Sequence, residues 1–316
     1  MIGASWLVDD LLRVEDILIE AAGASDHSLV RDPSLHLIRA GGKRLRPALV
    51  LISARAGEER RHETDLAAAS IELVHLATLY HDDVIDETDI RRGVQTVVAR
   101  WGIEIAVLVG DYLFARACTL AADAGGEVPG ILARAIARVC EGQVAETAMV
   151  GRSDRSVSDY IETIEKKTAS LFAAACKLGA VTAGAAETTV SSLERYGGHL
   201  GIAFQMVDDV LDLVGSPDVI GKQPGTDIKE GVFTLPILIA CERDRSVAER
   251  LKDDRDLTWV LQALRETGAL EETLDRARAE ADAARMALVE LEASEWRSTL
   301  EKVVEGVLAQ VPLEVA

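Results

Sequence analysis

Apolar residues recur three and four positions apart through 5–21, 64–80, 103–122, 130–150, 157–180, 190–214 and 258–310. That is the period of a helix with one buried face. No segment alternates apolar and polar as a half-buried strand does. The chain has seven prolines, none within 130–216 or 237–311, so nothing there interrupts a long helix. Glycines gather where the periodic runs stop, at Gly41-Gly42, Gly93, Gly125-Gly126, Gly197-Gly198, Gly221 and Gly225. The pattern predicts an all-α fold, a single helical bundle with residues 1–316 in one domain. Residues 244–256 read as a charged loop, and 265–300 as a charged amphipathic helix on the periphery.

Two of the apolar runs lead into the same acidic signature. His81-Asp82-Asp83-Val84-Ile85-Asp86 and Val207-Asp208-Asp209-Val210-Leu211-Asp212 both read Asp-Asp-x-x-Asp. On a helix, Asp82 and Asp86 share a face about one turn apart, as do Asp208 and Asp212. Like charges stacked in this way destabilise a helix unless a cation offsets them. Oxygen-rich pairs suit Mg²⁺, which shares its ligands with substrate phosphates. The expectation is Mg²⁺ ions clamping a diphosphate between two helices that face each other across a cavity.

Composition narrows the class further. Of 316 residues, 48% are hydrophobic but only 4% aromatic, a balance that favours helix over sheet. The net charge of −19 argues against nucleic acid and anionic membrane surfaces as partners. Cys118, Cys140, Cys176 and Cys241 form no Cys-x-x-Cys pair and read as buried, reduced thiols rather than as a disulfide framework or a zinc site. Asp9, Asp10 and Arg13 interrupt the first apolar stretch, which is unlike a signal peptide. With no run of eighteen apolar residues, no transmembrane segment is expected, and a cytoplasmic location follows.

In so acidic a chain the cations stand out. Gly41-Gly42-Lys43-Arg44-Leu45-Arg46-Pro47 sets three around a glycine turn, Arg91-Arg92-Gly93 follows Asp86, Lys166-Lys167-Thr168 opens an apolar run, and Lys222 lies in Gly221-Lys222-Gln223-Pro224-Gly225-Thr226-Asp227. Arginine suits bidentate phosphate contacts and lysine supplies a point charge. Glu72-Leu-Val-His75 has the Glu-x-x-His spacing of a di-iron bundle, but the second copy which that chemistry needs is missing. His75 reads instead as a diphosphate contact on the helix that carries Asp82. Gln205, amid apolar neighbours, either caps a polar network or faces the site.

These residues, in this order, resemble the trans-isoprenyl diphosphate synthases of the polyprenyl synthetase family, from about Leu35 to Ile239. The resemblance implies an isoprenoid-synthase bundle around a central cavity, a homodimer, and three Mg²⁺ ions per active site. By position, Lys43, Arg46, His75 and Arg92 resemble isopentenyl diphosphate binders. Asp82, Asp86, Asp208 and Asp212 resemble metal ligands, and Arg91, Lys167 and Lys222 contacts to the allylic diphosphate. Thr168 and Gln205 resemble the groups that stabilise the allylic cation. One departure is plain: many members have Glu-Gly-Lys ahead of Thr-Leu-Pro, whereas here Glu230-Gly231 is followed by Val232-Phe233-Thr234-Leu235-Pro236.

The implied activity is prenyl transfer: head-to-tail condensation of isopentenyl diphosphate onto farnesyl or geranylgeranyl diphosphate. The small residues Ala77 and Thr78, about one turn before Asp82, predict a tunnel open beyond fifteen carbons, which Ala77→Phe should shorten. Alternatives are a geranylgeranyl diphosphate synthase of shorter product, a class I terpene cyclase, or a non-catalytic subunit of a heteromeric synthase. Purely acidic motifs and a full cation set weigh against the last two.

Overall fold

The computed structural model describes residues 5–57, 62–215 and 224–311. Its helices are α1 (Val8–Ala22), α2 (Ser28–Arg39), α3 (Leu45–Ser53), α4 (His62–Ile85), α5 (Val97–Trp101), α6 (Ile103–Ala124), α7 (Val128–Thr147) and α8 (Val157–Ile164). They continue with α9 (Ser170–Thr182), α10 (Glu187–Val214), α11 (Thr226–Glu230), α12 (Leu235–Arg243), α13 (Arg245–Arg250), α14 (Leu257–Glu266), α15 (Ala269–Leu288) and α16 (Glu295–Leu308). The only sheet among the described residues is a two-residue hairpin, β1 (Ile90–Arg91) against antiparallel β2 (Val94–Gln95). The all-α expectation holds.

Helices α4 and α10 form the middle of the bundle. α4 is sheathed by α1, α3, α6 and α9, and α10 by α9 and α15. Both are apolar on more than one side: Ala67, Leu73, Val74 and Leu76 on α4, and Leu193, Leu200, Ala203 and Val210 on α10, are fully buried. A helix apolar all round can be stable only in the interior.

Glycines set how closely the helices approach. A Cβ on Gly142 of α7 would lie 2.4 Å from the Lys167 nitrogen, and one on Gly201 of α10 2.5 Å from the Ala169 Cα. The segment between α8 and α9 is therefore gripped by backbone contact from two sides, and a methyl at either glycine would displace it. That segment, Glu165–Ala169, is a single π turn. Such turns insert one extra residue into a helix and often mark functional positions.

Several sequence expectations need correction. The 157–180 run is one continuous helical path, but the π turn divides it. The 258–310 run breaks into three helices, because Gly268 adopts a left-handed conformation (φ 65) before α15 and Ser294 caps α16. The amphipathic helix expected within 265–300 is α15: Leu270, Leu274, Ala277, Ala281 and Leu288 bury one face along α10, while Glu271, Asp275, Arg276 and Arg278 face outward. The charged 244–256 stretch contains α13, started by the Asp244 side chain accepting from the Ser246 N–H at 2.8 Å. Cys176 and Cys241 are buried free thiols as expected, but Cys118 and Cys140 are exposed. Helix α6 is long and apolar enough by length and composition to cross a membrane, but Glu104, Asp111, Arg116 and Asp123 interrupt it, so no uninterrupted run of eighteen apolar residues occurs there, and it packs along α4.

Candidate active site

α4 and α10 carry their acidic motifs into one cavity of about 400 Å³. Asp82 on α4 and Asp86 just past its end line it, with Asp208 and Asp209 from α10, joined by Arg46, His75, Arg91, Lys167, Thr168 and Gln205. Thr78, Leu79, Val139, Ile164, Leu171 and Phe204 supply its apolar walls. The two motifs thus open onto one space.

Charge in this space is strongly perturbed. Burial, then the neighbouring Asp82, pushes Asp86 up to about 6, and burial raises Asp82 as well, against the pull of Lys167 and Arg91. Two desolvated carboxylates one turn apart resist simultaneous ionisation, so the protein alone does not satisfy them. Burial also works against the Lys167 cation, but Glu146, Asp82 and Asp86 outweigh it and raise Lys167 overall.

The opposite end of the cavity is cationic. Arg46 is fully desolvated, which lowers it to about 10. Its guanidinium stacks 4.9 Å from the Phe172 ring centroid, and its Nε–H has no hydrogen-bond partner. An unpaired buried donor is costly, and a diphosphate would satisfy it. Burial and the surrounding Arg46, Arg92 and Arg91 drive His75 well below the ordinary histidine range, so it is neutral. Glu72, one turn earlier, bonds Arg44 at 3.4 Å.

A hydrogen-bond chain ties the π turn to α10 and α8. Thr168 Oγ1 donates to Gln205 Oε1 at 2.8 Å, Gln205 Nε2 donates to Asp209 Oδ1 at 2.9 Å, and the Tyr160 hydroxyl donates to Asp209 Oδ2. Gln205 therefore both completes a network and faces the cavity. Burial pushes Asp209 up to about 8, against the donors Tyr160 and Gln205.

Not every anticipated residue reaches the cavity. Lys43 points to the surface, where Nζ donates to Gln310 Oε1 at 3.0 Å. Arg92, at φ 52, turns back to donate to the Leu37 carbonyl at 3.1 Å and to the Gly41 carbonyl, supporting the glycine turn. Asp212 is buried and is not a cavity wall; its Oδ2 accepts from the Asp227 N–H at 3.4 Å, anchoring α11. Lys222 lies outside the described residues.

Other residues were not singled out from the sequence. Glu146, the ion-pair partner of Lys167, lines the cavity with Gln143, Arg155, Tyr160 and Asp227. Gly142-Gln143-x-x-Glu146 was the available signal for the first two. It has the i, i+3 spacing of a helix face but looks like any amphipathic turn.

Residues 27–264 match the Polyprenyl synthetase family. The chain is 40% identical over 273 residues to heptaprenyl diphosphate synthase component 2 of Geobacillus stearothermophilus, covering 84% of this chain and 85% of that one. Among solved structures, a decaprenyl diphosphate synthase from Rhodobacter capsulatus superimposes with a TM-score of 0.92 at 38% identity, covering 98% of each chain. A polyprenyl synthase from Caulobacter crescentus CB15, complexed with calcium and isoprenyl diphosphate, gives 0.90 at 37%, covering 96% of this chain and 95% of that one. The chain belongs to the polyprenyl synthetase family and is a prenyltransferase that elongates all-trans prenyl diphosphates.

Proposed function

We infer that the cavity joins isopentenyl diphosphate to an allylic diphosphate, farnesyl or geranylgeranyl, by ionisation, condensation and elimination, and releases a product longer than fifteen carbons. The observation that carries this is the opening of both acidic motifs, with Arg46, Arg91 and Lys167, onto one space.

The donor set fits a hard cation. Asp82, Asp86 and Asp208 offer only oxygen, and the first two are crowded and desolvated. Among the described residues no three such groups form a ready-made metal cage; substrate phosphates would complete the coordination. Mg²⁺, three ions at full occupancy, would be held there and would act as a Lewis acid that neutralises the departing diphosphate.

Arg91 and Lys167 hold the allylic diphosphate. Arg46 and neutral His75 take the isopentenyl diphosphate, while Arg92 serves that end by holding the Gly41 turn. Because Asp209 accepts from the Gln205 amide, the Gln205 oxygen is fixed toward Thr168. The two oxygens form a dipole set up in advance for the allylic cation. The isopentenyl double bond attacks that cation, and the resulting carbocation loses its proton to the released diphosphate. The apolar walls keep water from trapping the cation as an alcohol.

Incubation with labelled isopentenyl diphosphate, Mg²⁺ and separate geranyl, farnesyl and geranylgeranyl primers should give elongated products, abolished by EDTA. Diphosphate release without incorporation would instead identify a cyclase and overturn the assignment.

The working unit is a cytoplasmic homodimer. α6 and α7 lie side by side and leave Leu108 (63% exposed), Val144 (70% exposed), Ala115, Cys118, Ala122, Ala133, Ala137 and Cys140 uncovered. Such a face of small and apolar side chains allows close helix packing. Protein from the soluble cell fraction should sediment at twice the chain mass, and Leu108→Glu should halve it. Monomeric parent protein would remove the dimer.

A further inference from the structure

Arg155 shares the physical signature of Arg46 but sits at the other end of the cavity. It is 7% exposed and lines the space beside Glu146, Tyr160 and Asp209. Its Nη2 donates to the Asp159 carbonyl at 3.1 Å and to Thr163 Oγ1, and its guanidinium lies 5.6 Å from the Tyr160 ring centroid. Those contacts account for one nitrogen. The buried Nε–H has no partner, and among the described residues the guanidinium forms no ion pair. Burial works against the charge and Glu146, Asp159 and Asp209 favour it, but none of them takes the Nε–H, and an unpaired buried donor is costly, so this arrangement suits an anionic ligand that brings an acceptor oxygen.

A second observation says why the charge stands here. Where the resemblance to the polyprenyl synthetase family implies a lysine after Glu-Gly, this chain has Val232, which lines the same cavity. The two segments are pinned together, the Gly151 N–H donating to the Gly231 carbonyl at 2.8 Å. Arg155 and Val232 therefore approach one wall of the cavity from adjoining loops, one cationic and one neutral.

We propose that Arg155 binds the diphosphate of the allylic substrate, supplying from the Gly151–Ser156 loop the positive charge that position 232 lacks. This rests on the prenyl-transfer assignment of the cavity. Its neighbours point to the allylic rather than the isopentenyl diphosphate. Glu146 is the partner of Lys167, Asp209 adjoins Asp208, and Arg46 and His75 lie elsewhere on the wall. With Nη2 taken by Asp159 and Thr163, the Nε–H and Nη1 edges of Arg155 can each make a single charge-assisted contact with a phosphate oxygen.

The test compares parent, Arg155→Met, Arg155→Lys and the double variant Arg155→Met with Val232→Lys in steady-state elongation. Melting temperatures are measured alongside. Loss of a charge-assisted contact should raise the KM for the allylic diphosphate about tenfold or more, with the KM for isopentenyl diphosphate within about threefold. Arg155→Lys should fall between, and Val232→Lys should recover most of the loss. A variant that melts lower while keeping the parental allylic KM would show a purely structural Arg155 and overturn the proposal. So would a rise confined to isopentenyl diphosphate, or no recovery in the double variant. An inactive parent would instead overturn the reaction assignment.

Discussion

Asp82→Ala and Asp208→Ala should each reduce incorporation of isopentenyl diphosphate by about a thousandfold or more. Both carboxylates line the cavity from opposing helices. Each loss removes a ligand for the cation that offsets the leaving diphosphate, and with it several kcal/mol of transition-state stabilisation. The Asp82 change should not harm the metal-free fold. Folding raises the carboxyls of both Asp82 and Asp86, Asp86 to about 6. A carboxyl raised by folding opposes folding once it ionises. Its penalty grows above the unfolded value and is complete above the folded one. At pH 7.5, Asp82→Ala removes one penalty and relieves Asp86, so the metal-free melting temperature should hold or rise. Activity above a tenth of the parent in both variants would remove the metal roles. Asp212→Asn should cost less activity than Asp208→Ala, because Asp212 anchors α11 and is not a cavity wall.

Thr78→Phe should shorten the product by one or more isoprene units while leaving the first condensation intact. Thr78 lies one turn before Asp82 and faces the cavity with Leu79, Val139, Leu171 and Phe204, so a phenyl ring there makes a floor beneath the reacting end. The structure places this role at Thr78 more directly than at Ala77. Ala77 is fully buried and does not line the space. Ala77→Phe would first overpack the core, at roughly 1–3 kcal/mol, and would shorten the product only by pushing its neighbours inward. Product sizing beside thermal melts separates the two. An unchanged chain length in a folded Thr78→Phe variant would disprove the floor.

The parts of the site legible in the sequence are those set by spacing along one helix. Asp82 and Asp86 are four residues apart and lie on one face, and their convergence on the cavity from the end of α4 needed no tertiary information beyond the helix itself. The same logic explains where it failed. Asp208 and Asp212 have identical spacing, yet only Asp208 lines the cavity, because α10 buries Asp212 against the Asp227 turn. Lys43 and Arg92 sit in glycine-bounded turns whose backbone direction no periodicity encodes. Arg92, at φ 52, turns its side chain into the Gly41 carbonyl.

The chain's order of apolar, acidic and cationic residues determined by itself that it would be helical, that it would carry two carboxylate motifs, and that its reaction involves diphosphates. Each of these depends on local period or on charge, properties that residues a few positions apart settle among themselves. Tertiary structure alone decided which cations enter the cavity, the Tyr160–Asp209 and Lys167–Glu146 pairings, and the unpartnered Arg155. Those contacts join residues 49 and 21 positions apart in the two pairings, and they form only because glycines at 142 and 201 let the helices approach to backbone distance.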